Sequence, residues 1–448
     1  MNETKTSSYY ENLKIIFQSR NFVVILLTNY SGSLYIAAWI YLNLFFRDIG
    51  ISYFELGIAN SWSMLIAVFA TLLGGYWADR YVHHRKYMAA FNKLLGALMA
   101  FIIPFVIDFA GVLIVWSIFS LAHFCQAALN PILFESLPPE QMGTGTSLFT
   151  LTSVFRVLGL TLVGIFIVND FVNGLRLFWF IAAFGSLIDF IIRLKFLKIQ
   201  EGRKKLLDGM ENRLISDVLA QYKTGLKVLI VTIPLFFTVF LLDAISDIFY
   251  QFAQQFFLNE QVGMSYSIIN YTMIGSTIIG VIGGLFAGFL LDKSKNATKI
   301  MFTAYFFLPL SILALIYAPI FPNWITPSDS ISFLSIFSST AFVAVVIKAG
   351  NDVIWRTIAW GSVGRELPRE HTGKVMAILS LSIDFIGAFI SPGVGLMYQM
   401  SGGKPVLGVT LMINLIILLL LFGGLIKHAV RKEKSTKTEI PSDSKPAL

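Results

Sequence analysis

The sequence predicts an all-α integral membrane protein of twelve transmembrane helices, arranged as two pseudo-symmetric six-helix bundles. Three observations predict it. Of 448 residues, 56% are hydrophobic and only 13% charged, with a mean hydropathy of +0.73, whereas soluble domains carry about 25% charged residues. Twelve apolar runs occur, each near the roughly 20 residues a helix needs to cross about 30 Å of hydrocarbon. Finally, the second half of the chain repeats the first.

The repeat is clearest at a polar turn. Gly75-Tyr76-Trp77-Ala78-Asp79-Arg80 ends one apolar run, with His83, His84, Arg85 and Lys86 opening the next, and it returns 213 residues later as Gly288-Phe289-Leu290-Leu291-Asp292-Lys293. The same offset pairs Gly50 with Gly263, Ser52 with Ser265, Tyr53 with Tyr266, Val68 with Val281 and Leu72 with Leu285. A hairpin and the helix before it therefore occur twice, as in membrane proteins built from internal repeats. A second match joins Leu137-Pro138-Pro139-Glu140-Gln141-Met142-Gly143 to Leu367-Pro368-Arg369-Glu370-His371-Thr372-Gly373, 230 residues apart. Proline rigidifies the helix entry, and a glutamate in the first turn suits the positive end of the helix dipole. Glu140 and Glu370 serve as caps or pair with the hairpin cations.

The spans fall near 22–46, 52–78, 87–108, 110–134, 144–169, 174–196, 228–257, 264–291, 300–320, 331–360, 374–400 and 405–426. An even number puts both termini on one side. Loops on that side hold 27 Lys and Arg, against Arg47, Arg176 and Lys404 on the other, so the bias places both termini in the cytoplasm of a cell-membrane protein. The expected divisions are an N-terminal bundle over 1–196, a linker over 197–227, a C-terminal bundle over 228–430 and a disordered tail over 431–448. In the linker, Leu207, Met210, Leu214, Val218 and Tyr222 recur at spacings of three and four, which reads as an amphipathic helix on the membrane surface. Residues 1–20 are polar without signal-peptide order, so the first span directs insertion.

Composition also excludes. The single cysteine, Cys125, permits no disulfide framework. The net charge of +8 serves topology rather than nucleic acid. Sequons at Asn2, Asn270 and Asn296 fall in the cytoplasm or in a span. No phosphate loop is present, so ATP does not drive the protein directly, and nothing in the sequence asks for a cofactor or a metal.

Twelve spans in two repeated halves, with Gly-x-x-x-Asp-Arg and a basic cluster after span two and an echo after span eight, resemble the major facilitator superfamily of transporters. Val82 and His83 stand where a glycine and an arginine are usual. The resemblance implies two six-helix bundles rocking about a site near the bilayer midplane, lined by spans one, four, seven and ten. It also implies gating residues: Gly75, Asp79, Arg80, Gly288, Asp292, Lys293, Glu140 and Glu370. Asp79 would hold the cytoplasmic face closed against the start of span eleven. Gly75 and Gly288 would allow close helix approach, and Gly280-x-x-x-Gly284-x-x-x-Gly288 makes span eight a packing face.

Charges inside spans cost at least about 2.5–3.5 kcal/mol each, so each marks a candidate site. Lys348, Asp352 and Arg356 recur every four residues on span ten, one helix face with alternating sign. Asp243 and Asp247 do the same on span seven. Two carboxylates on one face call for a proton or a cationic partner, and Lys348 and Arg356 are available. Arg156 and Asp384 occupy mid-span positions of spans five and eleven. His123 sits in His-Phe-Cys-Gln-Ala, similar to the Arg-x-x-Gln-Gly element of proton-coupled antiporters, and either carries a proton or packs. Lys93 is read as snorkelling, Asp189 and Arg193 as a local ion pair on span six, and Asp108 as solvated. Asn29, Tyr30, Ser33, Tyr35 and Trp39 form a cavity wall or an interface belt.

The expected function is a monomeric secondary transporter moving a small solute by alternating access, coupled to protons. The alternative is an intramembrane enzyme using Asp243 and Asp247.

Overall fold

The computed structural model describes residues 9–137, 148, 152–198, 223, 226–227, 230, 234–293, 297–323, 336–366 and 369–438. Within them run twelve main helices: α1 (Arg20–Asp48), α2 (Tyr53–Arg80), α3 (Arg85–Ile102), α4 (Phe109–Gln126), α5 (Thr152–Ile167), α6 (Phe171–Phe196), α7 (Pro234–Phe256), α8 (Tyr266–Lys293), α9 (Ala297–Tyr317), α10 (Thr340–Glu366), α11 (Arg369–Ser401) and α12 (Gly403–Thr438); all but the shorter apolar α5 and the charge-bearing α10 are long and apolar enough to cross a membrane. A short helix, Tyr9–Gln18, precedes them and buries Ile16 against Phe22 and Leu26 of α1. The linker stretch read as amphipathic, 207–222, lies outside the described residues. The last helix continues to Thr438, into the stretch expected to be a disordered tail.

Local chemistry sets the helix starts. Gly50 and Gly263, paired by the repeat, both take left-handed backbone angles, φ 103° and 76°, which cost a side-chain-bearing residue about 1–2 kcal/mol. Each is followed two residues later by a serine that turns the chain into a helix. Ser52 closes a capping box with Glu55 on α2, and Ser265 Oγ accepts from Ile268 N on α8 at 3.4 Å. Asp108, expected to be merely solvated, caps α4 by accepting from Gly111 N at 2.8 Å. Asp170 caps α6 through Asn173 N at 3.0 Å, and that bond holds its carboxyl below the usual range.

Helix pairing repeats as the sequence does. In the first half α2 packs on α4, α3 on α4 and α6, and α1 on α5 and α6. The second half pairs α8 with α10, α9 with α10 and α12, and α7 with α11 and α12. Each contact recurs six helices later, so the two bundles share one plan. Large apolar side chains face outward, Phe389 and Leu419 at 70% exposed, while Asp189, Arg193, Asp243, Asp247 and Lys348 are buried. That inversion of a soluble protein's pattern suits a lipid solvent and makes the chain a multi-pass membrane protein.

The halves meet where α2 lies along α11 and α5 against α8. A Cβ on Gly57 would come 3.2 Å from the Gly395 Cα, so the backbones of α2 and α11 touch there. Near the face opposite the chain ends, polar side chains join the halves. Tyr41 donates to Asn270 Oδ1 at 2.6 Å, and Asn270 Nδ2 donates to the Leu160 carbonyl at 3.1 Å. Tyr266 donates to Asp48 at 2.7 Å and stacks on Phe171, ring centroids 3.7 Å apart. Tyr53 and Tyr398 both donate to Glu260. Two local irregularities sit beside these contacts: α1 tightens to a 3₁₀ turn over Ala37–Tyr41, and α7 passes into a π turn over Phe257–Gln261.

Candidate functional site

Spacing of four puts Lys348, Asp352 and Arg356 on one face of α10, and the same spacing sets Asp243 and Asp247 on the facing side of α7. The structure brings all five together. Lys348 Nζ lies 3.2 Å from Asp247 Oδ1 and 3.5 Å from Asp352 Oδ2. Arg356 reaches Asp247, approaches Asp243 Oδ2 at 3.6 Å and sets Nε 3.6 Å from Asp352 Oδ1. The group is graded toward solvent: side-chain exposure rises from 7% at Asp243 to 39% at Arg356.

Sequence reasoning missed the groups that hold these charges. The Tyr305 hydroxyl of α9 lies 3.1 Å from Asp243 Oδ1 and 2.8 Å from Asn414 Oδ1 of α12, and Ser246 donates to the same Asn414 oxygen at 2.8 Å. Lys348 Nζ stands 4.1 Å from the centre of the Tyr250 ring, a cation–π contact that helps a buried ammonium. Asn414 lies in an apolar run of α12, where a lone buried amide needs a partner. That need was its available signal.

Three carboxylates thus face two cations. Oxygens of Asp243, Asp247 and Asp352 all lie within 4.8 Å of one another, and Asp352 Oδ1 is buried without a hydrogen-bond donor among the described residues. Ionised throughout, the cluster keeps one negative charge in a place where charge is costly. A proton or a small cation would remove it.

A second cluster lies in the first bundle and corrects two expectations. Lys93 does not snorkel: its Nζ donates to the Thr28 carbonyl at 2.6 Å and pairs with Asp189 Oδ2 at 3.2 Å. Arg193 is fully buried and does not pair with Asp189. It donates to Thr28 Oγ1, Asn29 Oδ1 and the Ala89 carbonyl at 2.8–2.9 Å. Ser31 gives Asp189 a further donor at 2.6 Å.

The remaining candidates are dispersed. His123 packs its ring edge-on to Phe119 and lines a cavity of about 250 Å³ beside Lys93. Tyr35 lines the same cavity, while Tyr30 donates to the Leu148 carbonyl at 2.6 Å and Trp39 packs on Trp116 and Phe119. Arg156 lines a second cavity, of about 450 Å³, between α5 and the pair α8 and α10. Asp384 is half-buried on α11. Neither Arg156 nor Asp384 joins an ion pair among the described residues, so the two mid-span positions form no bridge.

At the repeated turn, Arg80 bonds the Tyr76 hydroxyl and lies over the Tyr76 and Tyr81 rings, 5.8 and 5.5 Å from their centres. The expected role of Gly75 is corrected: a Cβ there would meet nothing within 4 Å among the described residues, whereas one on Gly74 would come 2.7 Å from Phe124 Cα. Gly74 is the residue that lets α2 and α4 touch. On α8 the tight contact is likewise at Gly283, against the Gly350 carbonyl, with Gly280 and Gly284 in looser contact with Val353. The side chains of Asp79, Asp292, Lys293 and Glu370, the surroundings of Gly288, and all of Glu140 lie outside the described residues.

No curated protein matches the sequence. Among solved structures, a mutant form of the nucleoside transporter NupG is similar with a TM-score of 0.70 at 15% identity, over 90% of this chain and 99% of that one. A D-xylose-proton symporter is similar at 0.64 and 14%, over 92% and 97%. The xylose transporter XylE from E. coli, in an inward-open conformation, is similar at 0.61 and 14%, over 91% and 96%. At these identities the likeness is one of fold. The Major Facilitator Superfamily model, however, matches residues 22–392, a stretch that takes in both copies of the turn motif and both charged clusters, and so this chain belongs to that superfamily.

Proposed function

We propose that the chain is a secondary transporter that moves a small solute across the cytoplasmic membrane by alternating access, with the Asp243–Asp247–Asp352 cluster as the site of proton coupling. The observation that carries this reading is the count of charges there: Lys348 and Arg356 balance two of three buried carboxylates. A proton on the third neutralises the cluster, and its loss on the wetter side, where Arg356 is exposed, restores the negative charge. A difference in charge of this kind is what a transport cycle can couple to movement.

In this reading the bundles over 1–196 and 228–430 tilt as units and the protein works as a monomer. The excess of cations in loops on the side of the chain ends supports a cytoplasmic location for both termini. The turn residues Gly75, Asp79, Arg80, Gly288, Asp292 and Lys293, with Glu140 and Glu370, form the cytoplasmic gate. His123, Arg156 and Asp384 line the path of solute or proton. We read the protein as a carrier and not an enzyme, since Asp243 and Asp247, the pair an intramembrane enzyme would use, are engaged by Arg356, Lys348 and Tyr305.

The test is reconstitution of the full chain in liposomes with a pH dye inside and a panel of small solutes outside. The expected result is a solute-dependent change of lumenal pH that an Asp352→Asn variant lacks. A response to an imposed sodium gradient, with none to a pH gradient, would assign the cluster to a metal cation and overturn proton coupling.

A further inference from the structure

The cavity inside the first bundle lies apart from the proton-coupling cluster, yet it has the marks of a built site. It lies among α1, α3, α4 and α6 and is lined by Tyr35, Lys93, Phe119, His123, Gln126 and Trp179, among others. Its chemistry is lopsided. Lys93 and Arg193 set two positive charges against the one carboxylate of Asp189, and no other carboxylate lies within ion-pair distance of either cation among the described residues. This cluster therefore keeps one positive charge, the opposite of the surplus on the cluster in the second bundle.

Donors as well as charge are left over. Of the three Lys93 N–H groups, the Thr28 carbonyl and Asp189 take two. The Trp179 indole is buried, and its N–H has no acceptor among the described residues. His123 and Gln126 line the same space, and neither forms a hydrogen bond among the described residues. Gly32 is part of the device: a Cβ there would collide with Lys93 Nζ, so glycine makes room for the ammonium at the cavity wall. The remaining wall, Tyr35, Phe119 and the Trp179 ring, is aromatic and apolar.

We infer that this cavity binds a small organic monocarboxylate, its carboxylate on Lys93 and its apolar body against Tyr35 and Phe119. A carboxylate is the class that supplies both missing properties, one negative charge and acceptors for several donors, and charge-assisted hydrogen bonds to it are the strong ones. The inference rests on the transport reading for its role and gives the solute's charge class. One such anion on this cluster and one proton on the cluster of the second bundle neutralise both clusters and together move no net charge.

Equilibrium dialysis of radiolabelled benzoate against the purified full-length chain tests it, with hexanoate, benzamide and benzylamine as competitors. The expected result is saturable binding at one site, displaced by hexanoate and not by the neutral or cationic compounds. Lys93→Gln should weaken it by about tenfold or more. Should that variant fail to fold, Phe119→Leu, which removes one ring of the apolar wall, should weaken it several-fold in a chain that still melts cooperatively. No saturable binding of benzoate, equal competition by benzamide or benzylamine, or unchanged affinity in the variant that folds would each overturn the inference. Binding is measured without a pH gradient, so a failure of coupling leaves this outcome untouched, and a proton-coupled carrier of cations would fail here alone.

Discussion

Asp189 Oδ2 on α6 lies 3.2 Å from Lys93 Nζ on α3, while Arg193, one turn further along α6, turns away to α1 and α3. A single carboxylate thus faces a cluster of two buried cations and leaves one positive charge over. Asp189→Asn should destabilise the protein by about 3–5 kcal/mol, because it leaves Lys93 without an opposite charge. Lys93→Met combined with Asp189→Leu should recover part of that loss by removing the pair altogether. Thermal unfolding in one detergent compares the three, and an Asp189→Asn variant as stable as the parent would contradict the pairing.

Asp352 is the carboxylate of its cluster with an oxygen lacking a hydrogen-bond donor among the described residues. Asp352→Asn keeps the shape and removes the surplus charge. Driven uptake should be abolished, while solute exchange at equal pH and solute binding should persist. Full driven uptake by this variant, measured in liposomes, would remove Asp352 from the mechanism.

How far these groups were legible in the sequence depended on where their partners lie. Periodicity along one helix exposes a face, so the ladder of α10 and the pair on α7 could be matched by charge and spacing alone. Periodicity says nothing about which helix stands opposite. Asp189 and Arg193 therefore read as a local pair, although both point at other helices, and Lys93 read as a boundary residue because its partner lies 96 residues away. Tyr305, Ser246 and Asn414 carry no charge, and in an apolar run they look like packing. The fold was legible for a different reason. A repeat of 213 residues fixes two equivalent units, and the pairing of helices recurs unit by unit.

On the face away from the chain ends, hydrogen bonds of tyrosine to carboxylate join the halves, Tyr266 to Asp48 and Tyr53 to Glu260, while Tyr398 bonds Glu260 from within the second half. Each such bond contributes about 1.5–3 kcal/mol, enough to hold one state and little enough to break in a cycle. Combining Tyr266→Phe with Glu260→Gln should shift the population toward opening on that side by about tenfold or more. Spin labels on cysteines placed at Ile107 and Lys404, both exposed, report the distance across this face once Cys125 is replaced. Distances that stay as short as in the parent would show that packing alone keeps it shut.

Gly74 and Gly75 stand side by side in the turn motif and should respond in opposite ways. A Cβ on Gly74 falls 2.7 Å from Phe124 Cα and 2.8 Å from its carbonyl carbon. Both obstacles are backbone, which has no rotamer to yield, so α2 and α4 must separate. Gly74→Ala should cost about 1–3 kcal/mol, the range for overpacking a tight contact. A Cβ on Gly75 meets nothing within 4 Å among the described residues, and alanine is the better helix former by up to about 1 kcal/mol. Gly75→Ala should therefore unfold at the parent's temperature or above it. Because Gly75 also belongs to the proposed gate, transport by the two variants separates the roles. A Gly75→Ala carrier of normal stability and lowered transport would place that glycine in the moving contact, and equal losses of stability in both variants would refute the packing assigned to Gly74.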